Sequence, residues 1–196
     1  MMTRRSNTKT EQSLMAFFSG RRLPDQVFAQ GPGNCVFLEF ARAFSASAWQ
    51  LFSDAALSSG DADVWCRCID PDAEAYYASS FAQPAEFRFQ ARGGPDRYIA
   101  RMHEWPTGSP ADAVAYRGDA VAWASDSGSW ACWGQRDSGL CVLRAVEGNH
   151  LQFLSGSVAE TLPVMTLDEA LRDVVANELP AERRAFFAER MRLCYS

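Results

Sequence analysis

The sequence predicts an α+β fold, a mainly antiparallel sheet packed against a long N-terminal helix and two C-terminal helices. Three observations carry this. Apolar residues recur at helical spacing from Phe37 to Ala55. Short apolar runs between 119 and 146 are separated by turn-forming stretches at regular intervals. Two capping-box starts, Ser109–Asp112 and Thr166–Glu169, open helical patterns on either side of that run. Strands come in runs rather than in βαβ alternation, which marks the α+β class.

Taken in order, residues 1–12 are polar and basic and are expected to be flexible, with a single α+β domain over 13–196. Leu14–Phe18 is a short apolar patch, followed by the Gly- and Pro-rich loop GRRLPDQVFAQGPGN. Asn34 then reads as a helix N-cap. Phe37, Phe40, Ala41, Phe44, Ala48, Leu51, Phe52 and Ala55 follow the i, i+3, i+4 template, and Gly60 is the stop. Val36 to Phe40 is apolar on both parities except at Glu39, so a strand is set aside there. The expected helix is about 35 Å long, with Ser45 as a place where it can break.

Val64–Ile69 reads as a strand, and Asp70-Pro71 as a helix start with Pro at the first helical position. That helix carries Ala73, Tyr77 and Phe81 on one face and ends before Pro84. In EFRFQAR, Phe87, Phe89 and Ala91 point one way, while Glu86, Arg88 and Gln90 point the other. The turn GGPD leads to Arg97–Trp105, expected as the returning strand of a hairpin over 85–105, with a helix as the alternative. A short helix follows Ser109 and closes at Gly118.

The meander over 119–146 runs Ala120–Ala124, Ser129–Gln135 and Leu140–Val146, joined by SDSG and RDSG. A four-residue connection sets Trp123 opposite Trp130, and Cys132 opposite Leu143. Val121, Trp123, Trp130, Cys132, Cys141 and Leu143 then share one face. His150–Leu154 is a candidate fourth strand. Leu167, Ala170, Leu171, Val174 and Val175 follow in helical register. A last helix carries Phe186, Phe187, Met191 and Cys194.

Composition bounds the function. Of 196 residues, 47% are hydrophobic and 22% charged, with a net charge of −5. An acidic chain lacks the electrostatic footprint of a nucleic-acid or anionic-membrane binder. The six Cys include no C-x-x-C, and most lie in apolar segments, where a free thiol behaves as a small hydrophobe. No secretory leader is evident, so the expectation is a cytoplasmic protein with free thiols. No phosphate loop, dinucleotide fingerprint or G-x-S-x-G is present. No cofactor is implied.

The sharpest chemical constellation is QGPGNCVF, Gln30 to Phe37. A Cys one residue into a helix, after a Gly-rich loop, is placed to gain from unpaired N–H groups, and a nearby Gln can hold an oxyanion. The stretch resembles the nucleophile segment of papain-like cysteine hydrolases, especially the G-N-C-x-F of OTU-type deubiquitinases. The resemblance implies Cys35 as nucleophile, Gln30 as oxyanion donor and His150, in GNHLQF, as base. It departs from that family at Gly31-Pro32-Gly33, where the family pattern has an Asp before the Gly and this chain has Pro32. The blander alternative, a buried Cys at a capped helix start, is preferred. Cys66, Cys68, His103 and His150 make a poor metal site, since i, i+2 on a strand is not a favoured zinc spacing and neither His has another ligand at i+3 or i+4.

Trp133 falls on the face opposite Trp130, with Gln135, Leu140 and Arg144. That mixed face is either a second packed layer or a recognition surface. Trp133, Gln135, Arg136, Asp137 and Arg144 are therefore the candidate binding residues. Residues 110–146, with S-x-x-W-x-x-W-G-x-R-D, are similar to the hairpin of small cytosolic bacterial proteins, some of the immunity type that neutralise a sibling toxin. Trp130, Trp133, Gly134, Arg136 and Asp137 carry that resemblance. It implies a non-enzymatic binding protein whose partner is a toxin or effector protein, with a homodimer as a further expectation. A papain- or OTU-like hydrolase is the runner-up.

Overall fold

The computed structural model describes residues 14–106, 109–145 and 162–196. Strands β1 (Asn34–Glu39), β2 (Asp63–Asp70), β3 (Glu86–Gln90), β4 (Ala120–Ser125), β5 (Trp130–Gln135) and β6 (Leu140–Ala145) form one antiparallel sheet in the order β1-β6-β5-β4-β2-β3. The helices are α1 (Ala46–Ser58), α2 (Ser79–Phe81, continuing a wide turn Glu74–Ala78), α3 (Pro95–Met102), α4 (Val114–Arg117), α5 (Leu167–Ala170, running on through Leu171–Val175 and Ala176–Glu178) and α6 (Ala181–Tyr195). The α+β class and the meander stand.

The middle of the sheet is covered on both faces, which is why β4, β5 and β6 are buried along their whole length. On one face Val121, Trp123, Trp130, Cys132, Cys141 and Leu143 meet Phe44 and Phe52, as the alternation implied. The other face is lined by Ala120, Ala122, Ala124 and Ala131, with Trp133, Leu140 and Val142. Those alanines leave room for a strap, residues 14–28, and beside it for α5 and α6. The strap is bolted to α6: the Val27 N–H donates to the Tyr195 hydroxyl (3.0 Å), that hydroxyl donates to Asp25 O (2.8 Å), and Arg190 pairs with Asp25 (2.7 Å).

Four expectations are corrected. The long helix from Asn34 is instead β1, a 3-10 turn Phe40–Phe44, and α1, whose true N-cap is Ser45, accepting from the Ala48 N–H (3.2 Å). Residues 35–38 are apolar on both parities because Phe37 faces the strap layer and Leu38 the α1 layer. Residues 97–105 do not return as a strand. Gly94-Pro95 opens α3, and Tyr98 and Met102, one turn apart, enter the α1 layer, the Tyr98 hydroxyl donating to Ala43 O (2.7 Å). There is thus no hairpin over 85–105, and among the described residues β3 pairs with β2 alone.

Trp123 lies opposite Cys132 rather than Trp130, because the connection takes up two more residues than that pairing allows: after the turn closed by the Gly128 N–H to Ser125 O (3.0 Å), with Gly128 at φ 68°, Ser129 is still spent before β5 begins at Trp130. Cys132 does lie opposite Leu143. After Asp70-Pro71 the helical turn begins only at Glu74, with Asp72 accepting from the Ala75 N–H (2.9 Å).

The Thr166 capping box forms in full, its side chain and that of Glu169 each accepting from the other's backbone N–H. In α6, Phe187, Met191 and Tyr195 are buried, while Phe186 is exposed. The expected strand at 150–154 and the flexible stretch 1–12 lie outside the described residues.

Candidate binding surface

Of the expected recognition face, most is interior. Trp133 packs against Phe18 of the strap (5.5 Å between centroids). Gln135 is buried and ties the strap to the sheet. Its Oε1 accepts from the Leu23 N–H (2.9 Å) and its Nε2 donates to Asp137 (2.6 Å). Arg136 is half-buried over the Phe40 ring and donates to Gly118 O and Ala115 O (3.0 Å each), closing the loop before β4. Asp137 is exposed. Gly134 is where Phe40 and Cys141 press on the strand, so that an added Cβ would sit 2.8 and 2.7 Å from them. Each residue of W-x-x-W-G-x-R has a packing or turn-closing task.

The structure does bring Gln30, Cys35 and Arg144 together. Cys35 lies opposite Arg144 across β1 and β6, and Arg144, only 6% exposed, donates weakly to Gln30 (3.4 Å). Cys35, however, sits in a strand rather than at a helix N-terminus. Its thiol donates to Pro32 O (2.9 Å), and burial pushes its pKa up to about 12 despite the nearby Arg144. That is the reverse of an activated nucleophile. His150 lies outside the described residues. His103 ends α3 in the opposite layer and stacks edge-on against Tyr116 (5.3 Å).

Cys66 and Cys68 share one face of β2 as expected. Cys66 meets Met102, and the Cys68 thiol donates to Asp70 O (3.4 Å). All six cysteines are unpaired. Among the described residues no group of three His, Cys, Asp or Glu side chains is placed to hold a metal ion.

What the sequence reading missed is an open surface on the far side of the molecule, made by β3, α3 and the residues after it. A groove of about 450 Å³ runs between β3 and α3, lined by Pro84, Glu86, Phe87, Arg97, Arg101 and Glu104 among others. Arg101 lies over the Phe87 ring (4.5 Å) and pairs with Glu104. Beside it Ala100, His103, Glu104 and Trp105 surround a shallow apolar hollow of about 330 Å³. Trp105 is 48% exposed and Tyr116 57%. The alternation in EFRFQ signalled that β3 has one outward row. The misread of 97–105 as a strand hid α3 as the second wall. No family model matches the chain, nor does any curated protein or solved structure.

Proposed function

We propose that this is a non-enzymatic protein-binding protein whose partner docks on the β3–α3 surface around Trp105. The observation that carries it is the half-exposed Trp105 beside an open groove. Tryptophan in such a hollow is the side chain most enriched among interface anchors. The state of Cys35 supports the same reading over a cysteine hydrolase, since a partly buried thiol held by Pro32 O, its pKa pushed up to about 12, is protonated at neutral pH. The mixture of arginines and glutamates along the groove suits a protein surface of alternating charge. A cytoplasmic setting accords with six unpaired thiols. Among the described residues no helix is long and apolar enough to cross a membrane.

The immunity-type form of this reading, with a toxin as partner, rests on the W-G-x-R-D stretch alone. Packing and turn closure account for most of that stretch, so it supports a shared hairpin architecture more than a shared partner.

The test is a photo-reactive benzoylphenylalanine placed at position 105 or, as a control, at the exposed Ser58, and irradiated in the producing cells. A discrete adduct from position 105 and none from position 58 is expected. Equal labelling from both positions, or none from either, overturns the proposal.

A further inference from the structure

The sheet's two edges are treated differently. At β1, Phe37 exchanges both its backbone hydrogen bonds with Met165 (2.9 and 2.7 Å), so that edge is covered. At β3 no such cover exists among the described residues. The Ala91 N–H donates to Ala62 O (2.8 Å), and 62 and 91 continue the β2–β3 register directly. In an antiparallel ladder, directly opposed residues that bond to each other alternate with those that do not. Residues 87, 89 and 91 therefore turn their backbone groups inward to β2, and Glu86, Arg88 and Gln90 turn theirs outward. The Gln90 carbonyl is used by the Gly93 N–H (2.8 Å). The outward groups of Glu86 and Arg88 carry no hydrogen bond among the described residues.

Resting on the protein-binding reading of this surface, we infer that the partner of the β3 edge is a second copy of this chain, joined by antiparallel β3–β3 pairing about a two-fold axis. The charges select this occupant, as an extension of pairs already made within each chain, Arg67 with Glu86 (3.2 Å) and Arg88 with Asp63 (3.2 Å) and Asp126 (3.1 Å). Only registers that set outward-turned residues opposite one another can form bonds, and three such registers bring the two charged residues together. One places Glu86 against Glu86 of the second copy, and another places Arg88 against Arg88. The third places Glu86 against Arg88 and Arg88 against Glu86, with the two Phe87 side chains adjacent across the axis. Like charges directly opposite destabilise a ladder and opposite charges stabilise it. The edge is thus complementary to itself in one register, as a two-fold interface requires.

The wall agrees. The chain reverses between β3 and α3, so Arg97 lies toward the Phe89 end of the groove and Glu104 toward Pro84. A two-fold axis near Phe87 brings Glu104 of each copy toward Arg97 of the other. Trp105 lies next to this contact and remains open to a further partner.

The experiment is sedimentation velocity on the full chain over a concentration series, with hydrogen exchange read over residues 84–91. The wild type should form a dimer, and protection of these amides should rise with concentration. Arg88→Pro removes an outward N–H that β2 does not use, so the β2–β3 backbone pairing survives, while the Arg88 side-chain contacts with Asp63, Asp126 and Trp65 are lost. It should weaken the dimer by about 30-fold or more, since two of the four new ladder bonds are lost. Far-UV circular dichroism checks that the monomer is folded.

Arg88→Gln removes the charge that faces Glu86 of the second copy while leaving the Arg67–Glu86 pair of the chain intact, and it should weaken the dimer by roughly tenfold. A wild type that stays monomeric, or a dimer indifferent to Arg88→Pro or to Arg88→Gln, overturns the inference. A monomer that still gives the adduct at position 105 refutes the second copy alone. A responsive dimer without that adduct refutes the Trp105 reading alone.

Discussion

Replacing Phe52 by alanine should be among the most damaging single changes to the fold. Phe52 is fully buried on α1 and stacks on Trp123 (5.5 Å, 27°) and on Trp130 (5.5 Å, 6°), with Tyr98 edge-on at 6.4 Å. An aromatic side chain buries about 150–250 Å². At about 25 cal/mol per Å² that is about 4–6 kcal/mol, of which alanine keeps the share of its own methyl. Measured Phe→Ala changes in cores cost about 3–5 kcal/mol, the upper half applying where the walls do not collapse.

Here they are held. Trp123 and Trp130 belong to central strands, and Tyr98 is tethered to Ala43 O (2.7 Å). About 4–5 kcal/mol is therefore expected, a fall in the urea midpoint of about 2 M at an ordinary slope. Phe52→Leu keeps most of the volume and should cost about 1.5 kcal/mol. Urea unfolding followed by tryptophan fluorescence measures both. An alanine cost under about 2 kcal/mol at unchanged slope, or a leucine cost equal to it, would refute the picture of one ring holding three others in place.

Alkylation of native Cys35 by iodoacetamide at pH 8 should be about a thousandfold slower than that of an ordinary thiol, because its pKa is pushed up to about 12 from 9.0; peptide mass spectrometry after timed quenching reads the rate, and glutathione-like reactivity would revive the hydrolase. The thiol contribution to stability should be flat below about pH 9 and fall above it. Cys35 and Cys68 both sit at about 12 when folded, so the unfolded chain loses its thiol protons first and is favoured as pH rises. Each should contribute about 1.4 kcal/mol per pH unit of loss between roughly 9 and 12, and Cys68→Ala should flatten the curve in urea titrations at stepped pH. Gly134→Ala should cost about 1–3 kcal/mol, since its Cβ would meet Phe40 and Cys141 below 3 Å; a neutral thermal melt would mean that β5 has slack at this point.

The legible parts of the fold were those governed by one rule at a time. EFRFQ alternates because one face of β3 is covered and the other is not. AVAWA reads as a strand because small and large residues alternate across a sheet sandwiched between unequal layers. Thr166 and Glu169 announced a helix because a capping box is complete within four residues. The illegible parts are those where tertiary burial imitates another period. Phe37, Phe40 and Phe44 fall at helical spacing although they belong to a strand and a 3-10 turn. Arg97, Ile99 and Arg101 alternate with Tyr98 and Met102 although they are helical.

The candidate site was hidden for the same reason. Residues that invite attention in a sequence, Trp133, Gln135 and Arg144, are conspicuous because they fasten the strap. The open surface is built from a short edge strand and a helix of ordinary composition. Its significance lies in what stands next to it, which no local pattern encodes.

The strand order carries a cost in time. β1 is the first of the described strands to be made, yet its ladder partner among the described residues is β6, and Asn34 meets Ala145 about a hundred residues later. At synthesis rates of roughly 5–20 residues per second, the apolar stretch around Phe37 waits on the order of 5–20 seconds for its neighbour to be made. The α1 layer can assemble meanwhile on β2, β3 and β4, but closure of the other side must await the far end of the chain, where Met165 and Tyr195 lie. Folding should therefore be slow for a protein of this length, as long-range pairing makes it, and the nascent N-terminal third should be the stretch that chaperones hold longest.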